Sequence, residues 1–136
     1  MHALKISFNG NPNIGLYGFA TDSYCLMPVH LSSKIIAKIK QVLDVPVYQL
    51  SIAGTDLLGA FCAGNSDLLL IPEIIRDEEI KQLEKHKLPY KIIKTKLNAL
   101  GNNILIKGNI CLVNPEFDQE TLDQLKKLNL KVLKGE

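Results

Sequence analysis

The sequence contains no tryptophan, and aromatic residues make up only 6% of its 136 residues. It has no run of about eighteen apolar residues, the length that a membrane-spanning helix needs, and residues 1–6 lack the apolar core of a signal peptide. The formal net charge is only +2, with 16 basic against 14 acidic side chains, whereas dedicated nucleic-acid-binding proteins usually carry a dense basic patch. These absences predict a cytoplasmic globular domain that does not enter membranes and makes limited direct contact with RNA.

Cysteine is also scarce. The three cysteines are an odd number, and each has apolar residues on both sides: Cys25, Cys62 and Cys111. No CxxC pair or Cys/His ligand spacing is present, so we predict neither a zinc site nor any other metal or cofactor. The flanking residues indicate small buried thiols in a reducing compartment.

What the sequence does contain is a repeated pattern. Aliphatic–glycine pairs recur at spacings of 44 and 42 residues: Ile14-Gly15, Leu58-Gly59 and Leu100-Gly101. Prolines follow them at spacings of 44 and 43 residues: Pro28, Pro72 and Pro115. A fixed period of this size indicates a repeat architecture, in which each supersecondary unit buries its apolar face against the next. We place the repeats at about 3–46, 47–89 and 90–136, within one domain.

Each repeat has the same predicted order of elements. Extended runs at 4–8, 47–52 and 90–94 predict strands, and each is followed by a polar loop that carries the aliphatic–glycine pair. Hairpins are predicted for 16–20 with 24–27, 60–63 with 68–71, and 104–106 with 110–113. After each proline a helix is predicted, capped by Ser32 or Ser33, by Asp77 and by Asp118 respectively. The fold class is therefore α/β, with ββαβ repeats whose last strand opens the following repeat.

Several segments carry a family resemblance: 11–15, 21–26, 51–55, 97–102 and 113–116. In this order, and over essentially the whole chain, they resemble translation initiation factor 6. The resemblance implies the pentein fold, a β/α-propeller closed by five ββαβ repeats, of which this sequence contains about three. A fragment, a second chain that supplies the missing repeats, and self-association remain open explanations of the shorter length.

The resemblance also implies a function without catalysis. Members of the family bind the large ribosomal subunit, mainly a ribosomal protein near the sarcin–ricin loop, and prevent its association with the small subunit. The implied role belongs to protein biosynthesis and ribosome biogenesis, and the modest charge of the sequence agrees with a contact that is mostly between proteins.

Two interpretations of the aliphatic–glycine loops remain open. Glycine can permit a tight backbone while the aliphatic side chain packs inward, or these loops together can form the face that binds the ribosome. The resemblance favours the second interpretation for Thr55 and Asn102, although Asn102 could equally be a left-handed turn residue. The candidate ribosome-binding residues are Ile14, Gly15, Thr55, Leu58, Gly59, Leu100, Gly101 and Asn102.

A competing hypothesis is an enzyme, because the pentein fold also hosts enzymes that act on guanidino groups with a cysteine nucleophile, a histidine and acidic partners. Fold alone does not decide function. In this sequence the cysteines lie inside apolar strands, where burial disfavours a thiolate. The histidines, His2, His30 and His86, share no period and have no acidic neighbour at catalytic spacing. We therefore predict no catalytic residue.

Overall fold

Three successive repeats of the same element order make up the computed structural model, which describes residues 14–135. The first repeat consists of α1 (Ile14–Tyr17), β1 (Phe19–Ala20), β2 (Cys25–Pro28), α2 (Ser33–Leu43) and β3 (Val47–Leu50). The second consists of α3 (Leu58–Phe61), β4 (Ala63–Asn65), β5 (Leu68–Pro72), α4 (Asp77–Lys85) and β6 (Tyr90–Ile93). The third consists of α5 (Leu100–Asn103), β7 (Ile104–Lys107), β8 (Ile110–Val113), α6 (Gln119–Lys126) and β9 (Lys131–Lys134). The strand predicted at 4–8 lies outside the described residues.

The strands form three separate three-stranded sheets, ordered β1-β2-β3, β4-β5-β6 and β7-β8-β9. In each sheet the first two strands are an antiparallel hairpin, and the third runs parallel to the second after a crossover helix. This is the ββαβ order that the sequence predicts. β3 pairs with β2, and β6 pairs with β5, so each of these strands is the last strand of the sheet formed by the hairpin before it. The chain then continues into the next repeat. The repeat boundaries at 46/47 and 89/90 stay a prediction.

Two of the three predicted hairpins begin too early along the chain. The structure has only two residues in β1 and three in β4, because the residues before them form the one-turn helices α1 and α3. The aliphatic–glycine pairs accordingly open short helices and do not lie in loops. The third hairpin is present as predicted, with Ile104 opposite Val113 and a turn at Gly108, whose φ of 60° suits glycine.

Side-chain caps fix the starts of the longer helices, with one difference from the prediction. The Ser32 hydroxyl accepts a hydrogen bond from the N–H of Ile35, and the Asp118 carboxylate accepts one from the N–H of Thr121. Asp77, however, is the first residue of α4 and not its cap. The cap position is Arg76, whose N–H donates to the carboxylate of Glu79 at 2.9 Å, so the acceptor comes from within the first turn.

The core lies between the repeats. One face of the first sheet packs against the second sheet and α4, in a cluster that includes Leu26, Leu50, Leu69, Ile71 and Leu83. One face of the second sheet packs in the same way against the third sheet and α6, in a cluster that includes Ala63, Leu70, Ile104, Val113 and Leu125. A smaller cluster lies between the first sheet and α2, and it includes Cys25, Met27 and Ile39. Each repeat thus covers the sheet that precedes it, which is how repeat proteins obtain a continuous core.

Candidate functional site

All three short helices lie at one end of the sheets, which we call the loop end. Because β3 runs parallel to β2, the carboxyl ends of both strands meet there, and the antiparallel β1 starts there. The same pairing holds in the other two sheets. The short helices also contact one another, α1 with α3 and α3 with α5. The loop end therefore brings together the three aliphatic–glycine pairs that are 42 to 44 residues apart in the sequence.

Glycine at two of these positions is required by the contact between neighbouring short helices. A methyl group on Gly59 would overlap the carbonyl oxygen of Gly15 and lie 2.7 Å from that of Gly18. A methyl group on Gly101 would overlap the carbonyl oxygen of Gly59 in the same manner. Backbone therefore packs directly on backbone from one repeat to the next, and no side chain fits between.

A tight turn carries Thr55 at the loop end. Ala53 and Gly54 have φ values of 53° and 71°, and Ile52 and Thr55 exchange backbone hydrogen bonds of 3.3 and 3.0 Å across them. The Thr55 hydroxyl donates to the carbonyl of Ile52 at 2.8 Å. Positive φ at both central residues is typical of a type I′ turn, which has a defined shape. Thr55 is therefore held in a fixed position.

Glu79 anchors this turn to α4. Its carboxylate accepts hydrogen bonds from the Ser51 hydroxyl, from the N–H groups of Ala53 (2.7 Å) and Gly54 (2.9 Å), and from its own helix at Arg76. Burial acts to raise the pKa of Glu79, but the four hydrogen bonds favour the carboxylate and together lower it below the ordinary value. The sequence indicates only a first-turn helix acid here, because Ser51, Ala53 and Gly54 are 25 to 28 residues away along the chain.

The candidate residues differ in exposure. Gly15 and Asn102 are exposed at the loop end, and Thr55, Gly59 and Gly101 are half-buried. Ile14 opens α1. The side chains of Leu58 and Leu100 are fully buried in the two main core clusters, as the inward-packing interpretation expects, so only their backbone can contact a partner.

Asn102 is not a left-handed turn residue. It lies inside α5, and its N–H donates to the carbonyl of Ala99 at 3.0 Å. Two other asparagines, Asn103 and Asn114, hold this helix in place, and the sequence does not single them out. Asn114 donates to the Asn103 side chain at 2.8 Å, and Asn103 donates to the carbonyl of Ala99 at 2.9 Å. These bonds fix α5 on the end of β8, and Asn102 projects from a supported helical turn.

Comparison with known proteins identifies the family. Residues 3–136 match the model of the eIF-6 family. This chain belongs to the eIF-6 family. It is 36% identical over 129 residues to translation initiation factor 6 of Staphylothermus marinus. The matched stretch covers 92% of this chain and 57% of the relative. It is 32% identical over 137 residues to the factor of Methanopyrus kandleri, covering 100% of this chain and 62% of the relative. The chain thus spans about three fifths of the length of these relatives.

Two of the solved structures with a similar backbone are enzymes. C. jejuni agmatine deiminase superposes with a TM-score of 0.60 at 15% identity, over 96% of this chain and 48% of its own. An amidinotransferase of Microseira wollei from the saxitoxin biosynthetic pathway superposes with a TM-score of 0.64 at 11% identity, over 88% of this chain and 38% of its own. At these identities the likeness shows the fold alone, and it supports the pentein fold that the resemblance implies. The sequence relatives in the eIF-6 family, by contrast, are named as translation initiation factors.

One contact at the loop end was not predicted. Nδ1 of His30 lies 3.3 Å from the carboxylate of Asp56, although in the sequence no histidine has an acidic neighbour at catalytic spacing. The two residues belong to successive repeats and are 26 positions apart in the sequence, so a local pattern does not reveal the contact.

Within residues 14–135 no group of three or more potential ligands could hold a metal ion, and no helix there is long and apolar enough to cross a membrane.

The cysteines of this eIF-6 family chain are buried thiols. Burial raises the pKa of Cys25 and Cys111 to about 11 and that of Cys62 to about 12. Because the thiolate is the reactive form, a neutral-pH solution of the folded chain contains almost none of the nucleophile that guanidino chemistry would need.

We therefore expect the folded chain to react very slowly with a thiol-specific reagent such as Ellman's reagent at pH 8, and to expose three reactive thiols in denaturant. The physical reason is burial, since all three cysteines are buried in the folded chain. Rapid stoichiometric labelling of one cysteine in the folded chain would contradict this and would reopen the enzyme hypothesis.

Proposed function

We propose that this chain binds the large ribosomal subunit through its loop end and sterically prevents association with the small subunit. Family membership carries the proposal, because the chain matches the eIF-6 family model from residue 3 to residue 136. The protein would act in the cytoplasm, where ribosomal subunits join, and it would need no catalytic group.

The surface chemistry of the loop end supports a protein contact. Gly15 is exposed and has no side chain, so a partner can approach its backbone closely. The loops at this end carry charges of both signs, for example Glu73, Lys96 and Glu116. A surface with charges of both signs lacks the positive electrostatic potential that binding to RNA phosphates requires. It therefore suits contact with a ribosomal protein better than contact with RNA.

Sedimentation tests the binding step directly. Purified chain is mixed with separated ribosomal subunits and run on a sucrose gradient, and we expect it to migrate with the large subunit only. Migration with the small subunit, or with neither, would overturn the proposal.

Replacing Asn102 with alanine should weaken binding to the large subunit by about 1–2 kcal/mol, roughly 5- to 30-fold in Kd. The side chain is exposed on a supported helical turn, so its truncation removes contacts with the partner and leaves the fold intact. The measurement is a binding titration with the large subunit, together with a urea unfolding curve of the variant.

Lys127→Ala is the matched control, because Lys127 is exposed at the C-terminal end of α6, opposite the loop end. It should bind like the parent chain. If Asn102→Ala unfolds at clearly lower urea, Asn102 is a structural residue, and equal losses of affinity in both variants would assign the binding surface elsewhere.

A further inference from the structure

We propose that Arg76 binds a carboxylate group of the partner protein at the loop end. Arg76 is the single arginine of the sequence. It is exposed, it lies at the cap position of α4, and its side chain reaches the turn that carries Thr55. This assignment rests on the proposed function, because it names the chemistry of one contact within the loop end.

The guanidinium group of Arg76 lies against the backbone of Gly54. A Cβ atom on Gly54 would be 2.5 Å from Cζ, 2.5 Å from Nη2 and 2.7 Å from Nη1 of Arg76. Because three atoms of the planar group are almost equally close to that position, the group covers Gly54 with its flat face. The N–H donors lie in the plane of the group, so they point along the surface and not into Gly54.

Two features hold the guanidinium in this place. Only glycine leaves room for it at position 54, where the φ of 71° also favours glycine. The Glu79 carboxylate ties the same turn to α4, since it accepts hydrogen bonds from the N–H groups of Gly54 and Arg76. A side chain that is ordered before binding loses little conformational entropy when a partner arrives, so it is well suited to a contact that contributes strongly to affinity.

The side chain of Arg76 has no structural role that explains its presence. Among residues 14–135 no carboxylate forms a salt bridge with it, and no acceptor there takes a hydrogen bond from it. The cap residues Ser32 and Asp118 accept hydrogen bonds through their side chains, whereas at α4 the acceptor is Glu79. Arginine is not a preferred cap residue, and residues that break a local preference are often functional ones.

The charges around Arg76 favour a single carboxylate over RNA as its partner. Glu73, Asp77 and Glu78 are exposed in the same segment of the chain. A nucleic-acid strand carries a negative charge at every phosphate, so it would bring several of them close to these acids. One carboxylate can instead meet the guanidinium alone and accept two parallel N–H···O bonds. The site therefore fits an aspartate, a glutamate or a C-terminal carboxylate of a ribosomal protein.

Binding titrations with the large subunit test this contact. Arg76→Ala should weaken binding about 10- to 100-fold. Arg76→Lys should still weaken it about 5-fold or more, because an ammonium group cannot form the two parallel bonds. Lys81→Ala is the matched control, since Lys81 is exposed on the same helix and also carries one positive charge; it should bind like the parent chain. Urea unfolding of all three variants should match the parent, because both side chains are exposed.

Gly54→Ala tests the geometry, because it keeps the arginine but displaces its guanidinium. It should weaken binding in the parent chain and have a smaller effect in the Arg76→Ala background, since both changes remove the same contact. Any strain that alanine adds to the turn is present in both backgrounds and cancels in this comparison. Equal effects in the two backgrounds would show that the position of the guanidinium on Gly54 contributes nothing, and would overturn the proposal.

The remaining outcomes separate this proposal from the proposed function. A parent chain that does not bind the large subunit overturns both. Binding by the parent chain that Arg76→Ala leaves unchanged overturns only the role of Arg76, and equal weakening by Arg76→Ala and Lys81→Ala does the same, because it indicates a general effect of charge. Deproteinised RNA of the large subunit is the second probe: binding to it that Arg76→Ala weakens would make the partner group a phosphate and overturn the carboxylate.

Discussion

Replacing Gly59 with alanine should destabilise the folded chain by about 3 kcal/mol. The added methyl group would overlap the Gly15 carbonyl oxygen and crowd that of Gly18, which are backbone atoms of the preceding repeat. Backbone atoms held by α1 and β1 cannot rotate away as a flexible side chain could, so the two repeats must separate at the loop end. Urea unfolding followed by circular dichroism measures the loss, and it is a large fraction of the stability of a domain this size.

Gly15→Ala is the matched control, because the same methyl group on Gly15 meets no atom of residues 14–135 within 4 Å. Alanine is the better helix former, so this variant should be as stable as the parent or more stable by up to about 1 kcal/mol. If Gly59→Ala proves as stable as Gly15→Ala, the short helices do not pack backbone on backbone, and the described contact between the repeats is wrong.

Replacing Glu79 with alanine should cost about 2–4 kcal/mol of folding free energy. The Glu79 side chain is only 6% exposed, and its carboxylate is the shared acceptor for Ser51, Ala53 and Gly54. Without it, three backbone N–H groups, those of Ala53, Gly54 and Arg76, and the Ser51 hydroxyl lose this acceptor in a part-buried place. The loss should also loosen the turn that positions Thr55, so we expect weaker binding to the large subunit alongside lower stability.

The same carboxylate should make stability depend on acid pH. The pKa of Glu79 is lowered on folding, so the unfolded state binds its proton more tightly than the folded state does. Its contribution is fully present above the ordinary glutamate pKa and is lost as pH falls through that value towards the lower folded one. Urea midpoints of the parent chain and of Glu79→Ala should therefore stay a constant distance apart near neutral pH and converge as the pH falls below the ordinary glutamate pKa.

Glu78→Gln provides the control for both measurements. Glu78 is the neighbouring residue of α4 and is exposed, so its neutralisation should change the free energy of unfolding by less than about 0.5 kcal/mol. A constant stability difference between the parent and Glu79→Ala across the whole pH range would show that the charge of the carboxylate contributes nothing.

Local patterns predict the regular parts of this fold well. The hairpin at 104–107 and 110–113 follows from two short apolar runs on either side of Gly108, whose positive φ the turn needs. The caps at Ser32 and Asp118 follow from a hydroxyl or carboxylate placed three residues before the N–H that it accepts from. These features depend on residues within one or two turns of each other, so a single sequence contains all the information.

The one-turn helices are hard to predict for the opposite reason. Four residues contain barely one helical period, and the cap positions Leu57 and Ala99 make no side-chain hydrogen bond. What stabilises these turns is the burial of Leu58 and Leu100 and the packing of glycine on the preceding repeat. Such contacts join residues about 42 positions apart in the sequence. The hydrogen bonds of Glu79 to Ser51, Ala53 and Gly54 also join residues that are distant in the sequence, although less so. A local sequence pattern reveals neither kind of contact.

Function is a separate question from fold in this protein. The structurally similar enzymes share the backbone at 11–15% identity, whereas translation initiation factor 6 of Staphylothermus marinus shares 36% of residues over 129 positions. The three cysteines are buried with raised pKa values, so the chain has no accessible thiolate for the chemistry of those enzymes. The sequence relatives therefore guide the functional proposal, and the structural relatives describe the architecture.

Subunit joining is the measurement that tests the central claim most directly. Large subunits are incubated with this chain, and small subunits are then added under conditions that favour joined ribosomes. The account predicts that the joined peak on a sucrose gradient shrinks as the chain is titrated, while the chain migrates with free large subunits. Full joining, with the chain still bound to the large subunit, would contradict it.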